Sequence, residues 1–247
     1  MVRSHPLSAA FLALLIGFRP LPSHAQSSSG NHLFILSGQS NMARFDPALS
    51  FTPAVSQAFG PDHVVVVKSA YSGQPIQRWD KGWEMKGTEK HPDCGDLYAK
   101  LIDAVHTATE EKKFQTVTFL WMQGESDAVA NGDAYEASLR RVIAQLQEDL
   151  ERKDIQLVLG RLSDNGLNPK KKGTKVPDWQ KIRDIQTNLA DTWPQGGAWV
   201  NTDDLNDGVN AEGKMVQNDL HYTVDGYKIF GDRLAEKAIG LIQKGKP

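Results

Sequence analysis

The sequence contains a single cysteine, Cys94, among its 247 residues. One thiol cannot form an internal disulfide or supply a metal cluster with several thiolates. Positive charge is not in excess either, because the formal net charge is −2 at pH 7. This mild acidity gives no support for nucleic-acid binding. After residue 25, no apolar run approaches the roughly 20 residues of a membrane span, so none is expected in the mature chain.

The first 25 residues have the composition of an export signal. A positively charged start precedes an apolar run at 7–18, and small residues end the segment at Ala25. This order of charged, apolar and small residues is typical of a cleaved secretory signal, and the apolar run is short for an uncleaved anchor. We therefore expect a signal peptide at 1–25 and one domain at 26–247, in a secreted or periplasmic protein.

Short apolar runs alternate with amphipathic segments along the rest of the chain. Continuous apolar runs are typical of strands that are covered on both faces, and they occur at 33–36, 64–67, 117–121, 155–159 and 198–200. Apolar residues recur at helical spacing in 97–108, 135–150, 182–189 and 227–242, which predicts four helices. Thr223 or Asp225 is expected near the start of the last helix. This alternation predicts a three-layer α/β domain with a parallel sheet of about five strands, without internal repeats.

The residues that follow the predicted strands carry the candidate chemistry, because ligands bind at the carboxyl ends of parallel strands. Ser40 lies in a predicted turn of small and polar residues directly after the first strand. A serine nucleophile needs a base, and His221 lies in a loop before the last helix with an acid close by. Gly73 allows a close approach of its backbone N–H to a ligand. The segment 123–127 ends a strand with an amide, a glycine and two carboxylates. Each signal is weak alone.

Together and in this order, these segments resemble the SGNH (GDSL-like) hydrolases, and most closely the branch with sialate O-acetylesterases and carbohydrate esterases that deacetylate xylan. Residues 38–42, Gly-Gln-Ser-Asn-Met, resemble that branch's nucleophile block, and 123–127, Gln-Gly-Glu-Ser-Asp, resemble its third block. Gly73 and the stretch around His221 take the places of its second and last blocks. The resemblance covers essentially the whole chain after the leader.

The resemblance implies a flavodoxin-like sheet with strand order 2-1-3-4-5 and an acetylesterase that acts on an acetylated carbohydrate. In that family, Ser40 would attack the acetyl carbonyl and His221 would serve as its base. The backbone N–H groups of Ser40 and Gly73, with the side-chain amide of Gln123, would stabilise the oxyanion. The family requires no metal and no organic cofactor.

Two departures from the family pattern concern Gln123 and the acid that orients His221. Wider SGNH enzymes place asparagine where this chain has Gln123, which is a longer donor of the same type. The usual aspartate stands three residues before the histidine, where this chain has Asn218. Asp219 is therefore our first candidate for the acid, Glu125 the second, and Asn218 is a neutral alternative.

The sequence is compatible with two other functions. One is a catalytically impaired carbohydrate-binding protein, suggested by the irregular placement of Asn218 and Asp219. The other is a lipase or thioesterase, which the polar character of the long predicted loops disfavours. Trp79 and Trp83 fit either stacking on sugar rings or buried anchoring of their loop.

Overall fold

The computed structural model describes Met1 and residues 30–83, 92–110, 112–167 and 176–245. Apart from Met1, the segment interpreted as an export signal lies outside these residues. None of the helices in the described ranges combines the length and the apolar character needed to cross a membrane.

A five-stranded sheet forms the middle layer, and every neighbouring pair of its strands is parallel. The strands are β1 (Asn31–Gly38), β2 (Val64–Ala70), β3 (Phe114–Met122), β4 (Gln156–Gly160) and β5 (Gly197–Val200). Their order is β2-β1-β3-β4-β5. The three-layer, flavodoxin-like prediction is therefore confirmed, including all five apolar runs.

The longer helices cover both faces of this sheet. They are α2 (Phe51–Phe59), α3 (Asp96–Thr109), α4 (Gly132–Asp149), α5 (Trp179–Asp191) and α6 (Val224–Lys244), and a single-turn helix α1 (Ser40–Arg44) precedes them. Helices α2 and α6 pack together on one face, while α3, α4 and α5 pack in succession on the other. The four predicted helices are confirmed, and Thr223 caps α6 by accepting a hydrogen bond from the Gly226 N–H at 3.0 Å.

Helix α2 and a small antiparallel hairpin were not predicted. The buried side of α2 consists of Phe51, Val55 and Phe59, spaced four residues apart. The hairpin pairs β6 (Gly208–Val209) with β7 (Met215–Val216), and it lies within the loop that leads to His221. Strands of two residues carry no periodicity that a sequence pattern could reveal.

Strand β1 lies at the point where the strand order reverses. It pairs with β2 on one side and with β3 on the other, and Leu33 to Leu36 are buried on both faces. In open α/β sheets, ligands bind in the crevice at the carboxyl ends of the strands beside such a reversal. The chain leaves β1 at this crevice, and the next residues contain Ser40.

Candidate active site

A tight turn at the end of β1 places Ser40. Gly38 has φ +143°, and a Cβ there would lie 1.9 Å from the carbonyl oxygen of Met122, so only glycine fits against β3. The Gln39 N–H donates to the same oxygen at 2.8 Å. Ser40 then begins α1 and is 5% exposed. The turn thus fixes the serine at the carboxyl edge of the two central strands.

The Gln39 side chain joins this turn to the segment after β3. Its Oε1 accepts hydrogen bonds from the backbone N–H of Ser126 at 3.2 Å and of Gly124 at 3.4 Å. It also accepts one from Nε2 of Gln123 at 3.2 Å. The nucleophile turn and the 123–127 segment resemble two blocks of the same family motif, and they are in direct contact here.

Gln123 is fully buried, and its amide group points to protein acceptors. Besides Gln39, Nε2 donates to the Gln74 carbonyl at 3.1 Å and to Oδ2 of Asp127 at 2.5 Å. The reversed amide would set its oxygen against these acceptor oxygens, so the partners fix its orientation. Here Gln123 links β3 to the loop that contains Gly73, and its role as an oxyanion donor stays a prediction.

Asp127 completes the link to the Gly73 loop (residues 71–76). Its carboxylate accepts a hydrogen bond from the Ile76 N–H at 2.9 Å in addition to that from Gln123. Burial raises the pKa of Asp127 to about 6, against the opposing effect of these hydrogen bonds. Gly73 itself is exposed and has φ +72°. A Cβ atom at this position would have no other group within 4 Å. Its left-handed backbone explains the glycine.

Asn41, the residue after Ser40, lies beneath the site with 2% of its surface exposed. Its Nδ2 donates to Oε1 of Glu125 at 2.9 Å, and its Oδ1 accepts from the Tyr227 hydroxyl at 3.1 Å. Burial raises the pKa of Glu125 to about 7, although its hydrogen bonds act in the opposite direction. Glu125 Oε2 has no hydrogen-bond partner among the described residues.

The same Asn41 side chain contacts the loop that contains His221 (the histidine loop, residues 217–223). Nδ2 also donates to the Leu220 carbonyl at 3.1 Å, and Oδ1 also accepts from the Tyr222 N–H at 3.3 Å. These two groups belong to the residues on either side of His221. The nucleophile turn is thereby joined to the backbone on either side of the candidate base.

His221 is half-buried, and its environment disfavours the imidazolium. Burial is the main cause that lowers its pKa, followed by the positive charge of Arg44, while the charges of Asp219 and Glu212 raise it. Among the residues that the structure describes, no side chain hydrogen-bonds the ring. The backbone N–H of His221 donates to Oδ1 of Asp219 at 3.0 Å. The lowered pKa of His221 favours the neutral imidazole, which is the form required of a general base.

The three candidates for the orienting acid lie in different surroundings. Asp219 is the candidate whose charge acts on His221. Asn218 has a left-handed backbone with φ +49°, and its Oδ1 accepts a hydrogen bond from Nδ2 of Asn206 at 3.1 Å. Glu125 is bonded to Asn41. These placements favour Asp219 for the role, which stays a prediction.

Trp79 and Trp83 are loop anchors in this structure, because they are 0% and 3% exposed. Arg78, in the same loop, forms an ion pair with Asp96 at 2.6 Å. The segment that directly follows the Gly73 loop is thus fixed by buried indoles and an ion pair. Within the described ranges, no group of three or more His, Cys, Asp or Glu side chains is arranged to hold a metal ion.

Sequence reasoning missed the contributions of Gln39 and Asn41. Both residues flank Ser40 inside the motif that identified it, and their polar side chains were the available signal. A motif shows which residue types are present, whereas the partners of these two amides come from segments that are 84 to 186 residues away along the chain.

The parallel sheet of order 2-1-3-4-5, with Ser40 in the turn after its first strand, has the architecture of an SGNH-type hydrolase. The family model "Carbohydrate esterase, sialic acid-specific acetylesterase" matches residues 43–240. This match covers well over half of the chain, so the chain belongs to this family of carbohydrate esterases. It begins three residues after Ser40. No curated protein matches the chain significantly.

Solved structures share the fold at low sequence identity. A protein from Arabidopsis thaliana has a TM-score of 0.60 and 18% identity, covering 87% of this chain and 98% of that one. A carbohydrate acetylesterase from Xanthomonas citri has a TM-score of 0.58 and 17% identity over 88% of this chain, which spans 57% of that protein. A family 2 carbohydrate esterase with a carbohydrate-binding domain, from Corynascus thermopiles, has a TM-score of 0.50 and 12% identity, covering 89% and 68%.

Proposed function

We propose that this protein is a serine esterase that removes O-acetyl groups from a carbohydrate, either sialic acid or an acetylated polysaccharide such as xylan. The observation that carries the proposal is the Asn41 contact, which joins the turn of Ser40 to both neighbours of His221. Membership of a carbohydrate esterase family supports the substrate class. The name of the Xanthomonas citri structure, a carbohydrate acetylesterase, agrees with an acetyl group as the acyl unit.

Acylation begins when the Ser40 hydroxyl attacks the acetyl carbonyl carbon while His221 accepts the hydroxyl proton. The resulting oxyanion is stabilised by the backbone N–H groups of Ser40 and Gly73, and the side-chain amide of Gln123 is the third predicted donor. When the tetrahedral intermediate collapses, the bond to the sugar oxygen breaks and His221 gives its proton to that oxygen. The deacetylated sugar leaves, and the acetyl group remains on Ser40.

Deacylation repeats the same steps with water. His221 takes a proton from a water molecule, whose oxygen attacks the acetyl carbonyl carbon of the acyl-enzyme. Collapse of the second tetrahedral intermediate breaks the bond to Ser40 and returns the proton to its oxygen, so acetate is released and the enzyme regenerated. Asp219 is the proposed acid, because its charge favours the imidazolium that forms in both steps.

We also propose that the mature protein is exported, without the 1–25 signal peptide, as one domain. The support is the composition of the leader and the central five-stranded sheet, whose strands are drawn from residues 31–200. Mass spectrometry of the protein purified from its native host should show a start at residue 26. An intact N-terminus in the exported fraction would contradict the cleavage.

The function is tested by an acetate-release screen over acetylated xylan, O-acetylated sialic acids and acetylated peptidoglycan. We expect release from at least one of them and a loss of about 10⁴-fold or more in Ser40→Ala. Ser37→Ala is the matched control, because Ser37 is a buried serine in β1, three residues before Ser40, and its hydroxyl donates to the Ser69 carbonyl. Full activity of Ser40→Ala would refute the mechanism.

Two other outcomes would indicate other functions. Sugar binding without acetate release would indicate an impaired carbohydrate-binding protein, and a preference for long acyl chains would indicate a lipase or thioesterase.

A further inference from the structure

We propose that Asn41 is the positioning residue that holds His221 within reach of Ser40, and that Glu125 acts through Asn41 rather than directly on His221. The inference rests on the proposed function, because it names the residues that position the same nucleophile and base. It gives roles to two buried polar residues that the chemical steps above do not use.

All four hydrogen bonds of the Asn41 amide are made inside the protein. A side-chain amide donates two hydrogen bonds and accepts two. The donated bonds reach Glu125 and the Leu220 carbonyl, and the accepted bonds come from the Tyr222 N–H and the Tyr227 hydroxyl. Asn41 is also 2% exposed, so water cannot readily replace a lost partner. The side chain therefore has a single well-satisfied arrangement.

The partner types fix the orientation of this amide. The Leu220 carbonyl can only accept and the Tyr222 N–H can only donate, so exchanging nitrogen and oxygen would make both contacts unfavourable. The two backbone groups belong to the residues directly before and after His221 in the chain. Because Asn41 directly follows Ser40, the position of His221 is set relative to the nucleophile by one rigid side chain.

Glu125 supplies an acceptor to Asn41, and that task does not require a negative charge. Its Oε1 accepts from Asn41 at 2.9 Å, and the charges that act on His221 are those of Arg44, Asp219 and Glu212. Glu125 is also 6% exposed, which disfavours its charged form. A glutamine at position 125 would offer the same acceptor oxygen to Asn41.

The test measures the rate at which a fluorophosphonate probe labels Ser40, together with kcat and KM for p-nitrophenyl acetate. For Asn41→Ala we expect labelling and kcat to fall about 100-fold with KM little changed, because a displacement of about 1 Å costs that much in an oriented reaction. Asn41→Asp keeps the shape but loses both donors, and it should be similarly impaired. Ser50→Ala is the control, since it removes one hydrogen bond to α6, at the Lys228 carbonyl, away from the histidine loop.

Glu125 variants separate the positioning role from a charge on His221. We expect Glu125→Gln to keep labelling and kcat within about threefold of wild type, and Glu125→Ala to fall as Asn41→Ala does. Equal impairment of Glu125→Gln and Glu125→Ala would overturn the role assigned to Glu125. Labelling of folded Asn41→Ala and Asn41→Asp at the wild-type rate would overturn the role of Asn41. A wild-type protein that is neither labelled nor active would instead remove the proposed function, and this inference with it.

Discussion

The backbone N–H of His221 donates a hydrogen bond to the Asp219 carboxylate, with 3.0 Å between N and Oδ1. This short-range contact holds the acid beside the histidine although the two are only two residues apart, one fewer than in the usual family pattern. The carboxylate charge also raises the pKa of His221 against the effects of burial and Arg44. The Asp219 carboxylate is therefore held by the backbone of His221, and its charge acts on the imidazole.

The charge of Asp219 is tested by Asp219→Asn, which keeps an acceptor oxygen for the His221 N–H. We expect kcat to fall about 100-fold or more, because the imidazolium formed during catalysis loses its counter-charge. The control is Asp207→Asn, since Asp207 accepts in the same way from the Asn218 N–H at 2.5 Å. Steady-state kinetics of both variants provide the measurement. Equal losses would show that the loop backbone matters and the charge near His221 does not.

Arg44 should shift the acid limb of the pH–rate profile to lower pH. Its positive charge lowers the pKa of His221, so Arg44→Ala should raise that pKa and move the acid limb of kcat/KM to higher pH. At pH values below this limb the variant should be less active than wild type, because more of its His221 is protonated.

The control for Arg44→Ala is Arg140→Ala, which removes the same charge from α4, where Arg140 pairs with Glu136. The acid limb should not move in that variant. The measurement is kcat/KM for p-nitrophenyl acetate at closely spaced pH values. An unchanged acid limb in Arg44→Ala would show that Arg44 does not act on the base.

Much of the fold could be predicted from the sequence, because each buried strand is a continuous apolar run and each long helix has an apolar stripe. The run at 33–36 predicted β1, and the small residues after it predicted the turn at Ser40. The order of the strands came from the family resemblance and was confirmed. Helix α2 was missed, although its buried positions are Phe51, Val55 and Phe59.

The site was predictable in its residue types and not in its contacts. Ser40 and His221 carry chemistry that a sequence motif can indicate. The hydrogen bonds that the Gln123 amide donates go to Gln74 and Asp127, which lie in two different segments. Likewise, the partners of Asn41 come from α6, the histidine loop and the segment that follows β3. Such contacts depend on tertiary packing, which local patterns do not contain.

Gly38 and Gly73 should respond differently to alanine. A Cβ at Gly38 would lie 1.9 Å from the Met122 carbonyl oxygen, so Gly38→Ala should lower the free energy of unfolding by about 3 kcal/mol or more. At Gly73 nothing lies within 4 Å, and Gly73→Ala should cost about 1 kcal/mol from its left-handed φ of +72° alone. Urea denaturation of both variants measures the difference. Similar losses at the two sites would contradict the close approach of β1 to Met122.

The buried acids Glu125 and Asp127 should make the protein less stable as the pH rises. Burial raises the pKa of Glu125 from 4.5 to about 7 and that of Asp127 from 3.8 to about 6. Between the unfolded and folded pKa values the folded state binds more protons, so the free energy of unfolding falls with increasing pH, by up to about 1.4 kcal/mol per pH unit for each group. This contribution is complete below about pH 4 and is lost by about pH 7.

The prediction is measured by urea denaturation of wild type and Glu125→Gln from pH 5 to pH 8. The difference in unfolding free energy between them should change in favour of the variant as the pH rises through about 7, because glutamine has no charged form to desolvate. Asp103→Asn, on the exposed side of α3, controls for the loss of one carboxylate. A difference that is independent of pH would mean that Glu125 is ionised in the folded protein at all these pH values, and its contact with Asn41 would then be a bond to a buried charge.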